Sequence, residues 1–412
     1  MESLRELYRI GPGPSSSHSL GVRNACEYYY GKYPDGKHYT VELYGSLSLT
    51  GKGHMSDKVI YDFFGPDKVE VIFMKEMTEE PNTMRFYTDD RENMMEIYSI
   101  GGGAIAVKGM GPLADPDVYP ENSLTEIVEV CKKNNWNFAQ YVYDREPDIR
   151  EHLAKVRKQM IRVVNDGLTR EGYLPGELHL EKVARKIYKQ CLSAPDEIRS
   201  RLMMSAFAYA AMEQSSSGET VVTAPTLGSS GIIPALIMYY EAEGVSEEKQ
   251  LEGLAVAGII GNVVKKNASI SGRVGGCQAE IGTACAMGAA LASHIEGLSI
   301  AQVEYAAEVG MEHNLGLTCD PVGGYVQIPC IERNGLGVLR SLDAMEYARY
   351  IGSFKPNRVT FDMVVSVMKH TGRHIPVEFK ETSLGGLAIE VKLAEEKRQA
   401  GKNGSPVSEE IK

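Results

Sequence analysis

A change in pattern near residue 147 constrains the fold of this 412-residue chain more than any other feature. Before it, segments of alternating or β-rich composition, which favour strands, come between segments with helical spacing of apolar residues. The predicted strands are Thr40–Leu49, Lys68–Lys75, Thr83–Thr88 and Met94–Gly103, and the predicted helices are Leu20–Tyr33, Met55–Phe64 and Ser123–Trp136. We therefore predict an α+β domain over residues 1–143.

After this point, nearly every segment has the spacing of a helix. Several of these helices are apolar on more than one face, so they should lie at the centre of an all-α domain over residues 144–392. Three polar, glycine-rich segments interrupt them, TAPTLGSSG, NASISGRVGGCQAE and TCDPVGGYVQIPC, and loops of this kind beside buried helices indicate ligand binding. Residues 393–412 are charged and have little to bury, which predicts a disordered tail.

Charge and composition exclude several classes of partner. The net charge is −11 and no block of Lys and Arg occurs, which argues against binding to nucleic acid or to an acidic membrane face. The charged first ten residues contain no apolar signal region, and the uncharged segment Thr220–Tyr240 contains Pro and Gly that make it a poor bilayer span. We therefore expect a cytoplasmic protein. Its seven cysteines, an odd number, argue against a disulfide framework.

Three of the cysteines can meet at one site. Cys277 follows two glycines at the start of a predicted helix, where a thiolate is stabilised, and Cys319 and Cys330 flank a loop stiffened by Pro and Gly. Cys285 lies about 12 Å further along the helix than Cys277, so it is predicted to be a core residue. Three thiolates fit either zinc with a further His or water, or a 4Fe–4S cluster with one open iron, and spacing prefers neither. His313 could be that further zinc ligand, a helix-terminal residue, or a residue that contacts a ligand without binding the metal.

Two N-terminal stretches place polar side chains just before predicted helices. GPGPSSSHS contains Ser15–Ser17 and His18, which could bind an anion or a carboxylate at the positive end of a helix, or could cap that helix. GSLSLTGKGHMSD contains Lys52 and His54 on a glycine-flanked turn. A histidine on such a turn can act as a general base, or it can be an ordinary surface side chain.

Taken together, these motifs resemble the iron–sulfur-dependent L-serine dehydratases, which use no pyridoxal phosphate. The matching stretches run from Gly13 to about Ala388 in the order of that family: GPSSSH, YGSLSLTGKGH, PNTMRF, SIGGG, VVTAPT, NASISG, GCQAEIG, MEHNLGLTCDPV, QIPCIERN and ETSLGGLA. The resemblance implies that Cys277, Cys319 and Cys330 bind a 4Fe–4S cluster and that His54 is the base. It also implies an N-terminal domain similar to the allosteric substrate-binding domain of some phosphoglycerate dehydrogenases, and a homodimer.

The remaining site residues are implied by the same motifs. His18 and Lys52 are further candidate catalytic residues. The candidate substrate-binding residues, all in the serine loop or in loops implied to lie near the cluster, are Ser15, Ser16, Ser17, Thr223, Thr226, Asn267, Ser269 and Ser271, with Ala224 and Pro225 in the same TAPT motif.

The implied reaction is dehydration and deamination of L-serine to pyruvate and ammonia. No cysteine follows Cys330, so the C-terminal cysteine that caps the open iron in some members is excluded. Leu227 and Ser230 depart from the TAPTNGACG of many members, which leaves open the same elimination on another β-substituted amino or hydroxy acid. The β domain is also shorter than in larger members around Glu76–Arg91. A zinc-stabilised binding protein without catalytic activity is the alternative from a different class.

Overall fold

A six-stranded mixed sheet organises the N-terminal part of the chain. The computed structural model describes residues 1–403 except positions 77, 81, 114, 115, 353, 355 and 356. Its strands are β1 (Ile10–Pro12), β2 (Tyr39–Leu43), β3 (Val69–Phe73), β4 (Thr83–Thr88), β5 (Glu92–Gly101), β6 (Ala104–Val107), β7 (Gly111–Pro112) and β8 (Thr220–Val222). The sheet order is β3-β2-β4-β5-β6-β7, with β2 and β3 parallel and the other pairs antiparallel.

Helices α1 (Gly21–Lys32) and α3 (Ser56–Phe64) contribute to the core of this sheet. The alternation in TMRFYT places Met84 and Phe86 of β4 in that core, as expected for a half-buried strand. The strand predicted at Thr40–Leu49 ends earlier, at Leu43. Gly45 has a φ of 58°, which ends the extended path, and a short helix, α2 (Ser46–Leu49), follows it.

The rest of the described chain is almost entirely helical. Its helices are α4 (Leu124–Asn134), α5 (Phe138–Arg145), α6 (Ile149–Thr169), α7 (Ala184–Leu192), α8 (Asp196–Ser216), α9 (Ile232–Ala242), α10 (Glu247–Asn267), α11 (Gly272–Gly275), α12 (Thr283–Ile295), α13 (Ile300–Glu312), α14 (Cys330–Tyr350), α15 (Phe361–His374) and α16 (Gly386–Asn403). This arrangement, an α+β part followed by a helical part, confirms the predicted fold class.

Helices α10 and α12 form the centre of the helical part, and α12 is buried on nearly every face. Small residues let the helices approach closely. A Cβ at Gly288 of α12 would lie 2.5 Å from Ser341 Oγ of α14, so no larger residue fits there without movement. Cys285 of α12 is fully buried in this core, which confirms its predicted place.

The start of the chain packs with the helices rather than with the six-stranded sheet. Met1, Leu4, Leu7 and Tyr8 belong to the helical core, together with buried residues of α4 and α5. Strand β1 pairs with β8 in a separate antiparallel ladder, which ties the N-terminal part to the segment before α9. The predicted domain boundary between residues 143 and 144 falls within α5.

The predicted tail, residues 393–412, begins inside a helix. Helix α16 continues to Asn403, and residues 404–412 lie outside the described part of the chain. Within the described ranges, none of the helices combines the length and the apolar content needed to cross a membrane.

Candidate active site

A cavity between the sheet-containing part and the helical part collects most of the predicted site residues. The side facing the N-terminal part is lined by Pro14, Ser15, Ser16, Ser17, His54, Gly101 and Gly102. The side facing the helical part is lined by Thr226, Gly228, Ser271, Gly272, Glu280, Cys319, Pro321, Val326, Cys330 and Glu381. The backbones of the two sides lie close together, since a Cβ at Gly53 would lie 3.2 Å from the carbonyl oxygen of Gly324.

Three cysteines from separate segments are buried at or beside this cavity, since Cys319 and Cys330 line it and Cys277 lies next to Cys319. Cys277 precedes a π-helical turn that leads into α12, Cys319 lies in the loop before α14, and Cys330 is the first residue of α14. The Sγ atoms of Cys277 and Cys319 lie 3.9 Å and 3.8 Å from Glu280 Oε2. Cys277, Glu280 and Cys319 offer ligand atoms that all lie within 4.8 Å of one another, and Cys330 lies outside this group.

The thiols are held in surroundings that oppose their ionisation. The contact with Cys277, together with burial, raises the pKa of Cys319 well above its usual value. For Cys330, burial is the larger cause and the nearby Cys277 the next, and both raise its pKa well above the usual value. Closely spaced buried thiolates therefore need a cationic centre to stay ionised. A set of soft sulfur donors suits an iron–sulfur cluster or zinc, so the residues present fit either group.

His54 lines the cavity and has one ring nitrogen without a hydrogen-bond partner among the described residues. The side chain is fully buried, its Nδ1 lies 3.4 Å from Thr50 Oγ1, and its Nε2 has no hydrogen-bond partner among the described residues. Burial lowers the pKa of His54 to about 4. The imidazole is therefore neutral near pH 7, with one nitrogen able to accept a proton.

His18 lies behind His54 and does not line the cavity itself. Its ring meets the His54 ring edge-on, with 4.4 Å between centroids. Its Nδ1 lies 2.9 Å from Ser17 Oγ, and its Nε2 lies 3.1 Å from Ser46 Oγ and 3.0 Å from Thr50 Oγ1. Burial, followed by the neighbouring His54, lowers the pKa of His18 well below its usual value. The geometry gives His18 a supporting place rather than direct access to the cavity.

The serine loop reaches the cavity as predicted by its motif. Ser15 accepts a hydrogen bond from the His18 backbone N–H at 3.2 Å and caps the π-helical turn Ser16–Leu20. Ser16 Oγ accepts from the Leu227 backbone N–H at 2.7 Å, which joins this loop to the TAPT segment. The capping and the ligand-binding interpretations of this loop are therefore compatible, because the same turn is capped by Ser15 and lines the cavity.

Several predicted site residues lie elsewhere. Lys52 is exposed, and its Nζ lies 5.5 Å from the centroid of the Phe73 ring, so this structure gives it no contact with the cavity. Thr223 Oγ1 donates to the Leu7 carbonyl at 2.6 Å and so fixes the start of the chain. Asn267 Nδ2 donates to the Asn122 carbonyl at 2.7 Å at the end of α10.

Two other predicted residues differ in their access to the cavity. Ser269 Oγ accepts from the Ser271 backbone N–H at 3.0 Å and shapes the loop, whereas Ser271 itself lines the cavity. His313, the possible extra zinc ligand, bonds through Nδ1 to the Val309 carbonyl at 2.9 Å and lines a different surface cavity. It is therefore a helix-terminal residue in this structure.

Sequence reasoning did not single out two carboxylates that line the cavity. Glu280 Oε1 accepts from Thr226 Oγ1 at 2.7 Å, and burial raises the pKa of Glu280. Burial, followed by the charge of Glu280, raises the pKa of Glu381 to about 8. A signal for Glu280 was present, because it is the one carboxylate between Gln278 and Ile295, a segment made mostly of small and apolar residues. Glu381 has a φ of 59° and gave no comparable signal.

Comparison with known proteins agrees with the motifs. The family model described as serine dehydratase alpha chain matches residues 70–388, and that described as serine dehydratase beta chain matches residues 3–65. L-serine dehydratase 1 of Escherichia coli K12 is 36% identical over an alignment that covers 95% of this chain and 99% of the relative. L-serine dehydratase of Streptomyces coelicolor is also 36% identical, covering 94% of this chain and 99% of the relative. The chain therefore belongs to the serine dehydratase family.

Proposed function

We propose that this chain converts L-serine to pyruvate and ammonia, using a 4Fe–4S cluster bound by Cys277, Cys319 and Cys330. The observation that supports this most directly is the meeting, at one cavity, of buried cysteines with the unpaired Nε2 of His54. The relatives named as L-serine dehydratases support the choice of substrate.

The donor set is suited to a cluster with one iron free of cysteine. Cys319 and Cys330 line the cavity, and the buried Cys277 lies next to Cys319. No cysteine follows Cys330 in the sequence. When bound, such a cluster supplies a Lewis acid that can accept the hydroxyl and carboxylate oxygens of the substrate.

His54 is proposed to remove the proton from Cα. The electron pair of the broken C–H bond forms the Cα–Cβ double bond, and the hydroxyl group leaves Cβ. The resulting aminoacrylate gains a proton at Cβ and loses one from nitrogen to become an imine, and water converts the imine to pyruvate and ammonia. A neutral imidazole suits the first step, because a protonated one could not accept the proton.

The carboxylates are proposed to bind the α-ammonium group of the substrate. Glu280 and Glu381 line the cavity, and a cation bound between them would favour their ionised forms, which burial opposes. This pairing favours an amino acid over a hydroxy acid. The hydroxyls of Ser15, Ser17 and Ser271 line the same cavity and can bind the substrate's polar atoms.

The two residues of TAPTLGSSG that differ from many family members, Leu227 and Ser230, lie away from the proposed substrate site. Leu227 is fully buried in the helical core, and Ser230 Oγ donates to the Leu227 carbonyl at 2.8 Å. Neither residue belongs to the described lining of the cavity, whereas Thr226 and Gly228 do. This placement supports L-serine over the alternative substrates that the two departures had left open.

The test is anaerobic analysis of iron, acid-labile sulfide and zinc, combined with pyruvate release from L-serine, L-threonine, L-cysteine and D-serine. We expect iron and sulfide in about equal amounts and the highest kcat/KM with L-serine. A colourless protein with stoichiometric zinc and no pyruvate release would instead support the binding protein. Turnover with another substrate but not with L-serine would support the same elimination reaction on that other substrate.

A further inference from the structure

We infer that Thr50 is a positioning residue that fixes the tautomer of His54, a residue that lines the cavity, so that Nε2 has a lone pair and not an N–H. The inference rests on the proposed role of His54 as the base, and assigns the preparation of that base to a neighbouring hydroxyl group.

The hydroxyl group of Thr50 donates its proton to a backbone carbonyl. Thr50 Oγ1 lies 3.0 Å from the Ser46 carbonyl oxygen, one helical turn earlier. A carbonyl oxygen only accepts, so the hydroxyl must donate in this bond. Toward every other neighbour, Thr50 Oγ1 can then act only as an acceptor, through its two lone pairs.

Two imidazole nitrogens use that acceptor. His18 Nε2 lies 3.0 Å away and His54 Nδ1 lies 3.4 Å away. Each must be an N–H to bond an atom that cannot donate. A neutral imidazole has one N–H, so His54 with hydrogen on Nδ1 has a lone pair on Nε2. Burial keeps His54 neutral near pH 7, so both nitrogens do not bear hydrogen together.

The other tautomer is disfavoured at Nδ1. It would place a lone pair of Nδ1 against a lone pair of Thr50 Oγ1. It would also move the hydrogen to Nε2, which has no hydrogen-bond partner among the described residues, and leave no lone pair there. The contact of Nδ1 with Thr50 therefore favours the tautomer whose Nε2 can accept a proton from substrate.

The His18 side of the network agrees with this assignment. With hydrogen on Nε2, His18 accepts through Nδ1, and Ser17 Oγ lies 2.9 Å from that atom and can donate. Hydrogen bonds then run in one consistent direction, from Ser17 to His18, from both histidines to Thr50, and from Thr50 to Ser46. Serine at position 50 could replace the hydroxyl, whereas valine would keep the shape and remove it.

The test compares Thr50→Val and Thr50→Ser with wild type under anaerobic conditions, measuring kcat, KM and iron per chain. The control is Thr169→Val, since Thr169 Oγ1 also bonds a backbone carbonyl, that of Asp166 at 2.8 Å, at an exposed helix end. The protonation of His54 is read by ¹⁵N NMR of histidine-labelled protein, with the His54 signals identified by their loss in His54→Gln.

We expect Thr50→Val to keep its iron and to lose about 10- to 100-fold in kcat with little change in KM, part of the roughly 10²–10⁴ that a general base contributes. Thr50→Ser should recover most of kcat, and only Thr50→Val should show an Nε2–H signal for His54. The inference is wrong if Thr50→Ser is as impaired as Thr50→Val, if the loss is in KM alone, or if the tautomer is unchanged. Absence of pyruvate release from wild type would instead reject the proposed function, and the NMR result would still decide the tautomer.

Discussion

Replacing Gly272 with alanine should disturb the site without disturbing the fold. Gly272 is the first residue of α11 and is buried beside the cysteines. A Cβ there would lie 2.4 Å from Glu280 Oε2 and 3.1 Å from Cys319 Sγ. Ordinary contact begins near 3.4 Å, so the carboxylate must move by about 1 Å. Its bond with Thr226 Oγ1, at 2.7 Å, opposes that movement.

A displacement of 1 Å at a reacting centre can cost about 100-fold in rate. We therefore expect kcat per bound iron to fall about 10- to 100-fold in Gly272→Ala. The assay is anaerobic pyruvate release at saturating L-serine, with iron measured on the same samples and the thermal midpoint measured separately. Gly31→Ala is the matched control, because a Cβ at Gly31 in α1 meets nothing within 4 Å. Wild-type kcat per iron in Gly272→Ala would refute the reasoning.

Three further results are expected. Cys319→Ala should lose both iron and pyruvate release, whereas Cys285→Ala should keep its iron. Equal iron content in the two variants would reject the assignment of Cys319 as a ligand. His54→Ala should keep its iron and lose turnover by about 10²–10⁴-fold, and a variant that still turns over would remove His54 from the role of base. Burial raises the pKa of Glu213 from 4.5 to about 7, so the folded state favours the protonated side chain. The contribution of Glu213 to the free energy of unfolding therefore falls as the pH rises from about 4.5 through 7. Wild type should therefore lose up to about 3 kcal/mol more than Glu213→Gln between pH 5 and 8 in urea unfolding, and parallel pH profiles would contradict this.

Local patterns predicted those parts of the molecule that depend on neighbours in sequence. The strand Thr83–Thr88 has the predicted bounds, and α3 begins one residue after the predicted Met55. Helical rise alone separated Cys285 from Cys277, and Cys285 lies in the core. The order of the motifs was sufficient to predict the family.

The tertiary structure decided which of these residues meet. His54 and Cys330 line one cavity although 276 positions separate them, and no periodicity encodes such a contact. Lys52 and His54 lie on the same glycine-flanked turn, and the local sequence does not distinguish them. Packing buries His54 and leaves Lys52 exposed. Glu381 becomes a site residue because its segment pairs with the cysteine loop, where its N–H donates to the Cys319 carbonyl at 2.6 Å.

The sequence by itself therefore determined the fold class, the family and the chemical types available at the site. Only the packing of distant segments decided that His18 supports His54 from behind, and that Thr223 and Asn267 hold loops in place. It also decided that two carboxylates join the cysteines. The physical reason is that secondary structure follows local spacing, whereas burial, pKa and the direction of a hydrogen bond depend on atoms that folding brings together from far along the chain.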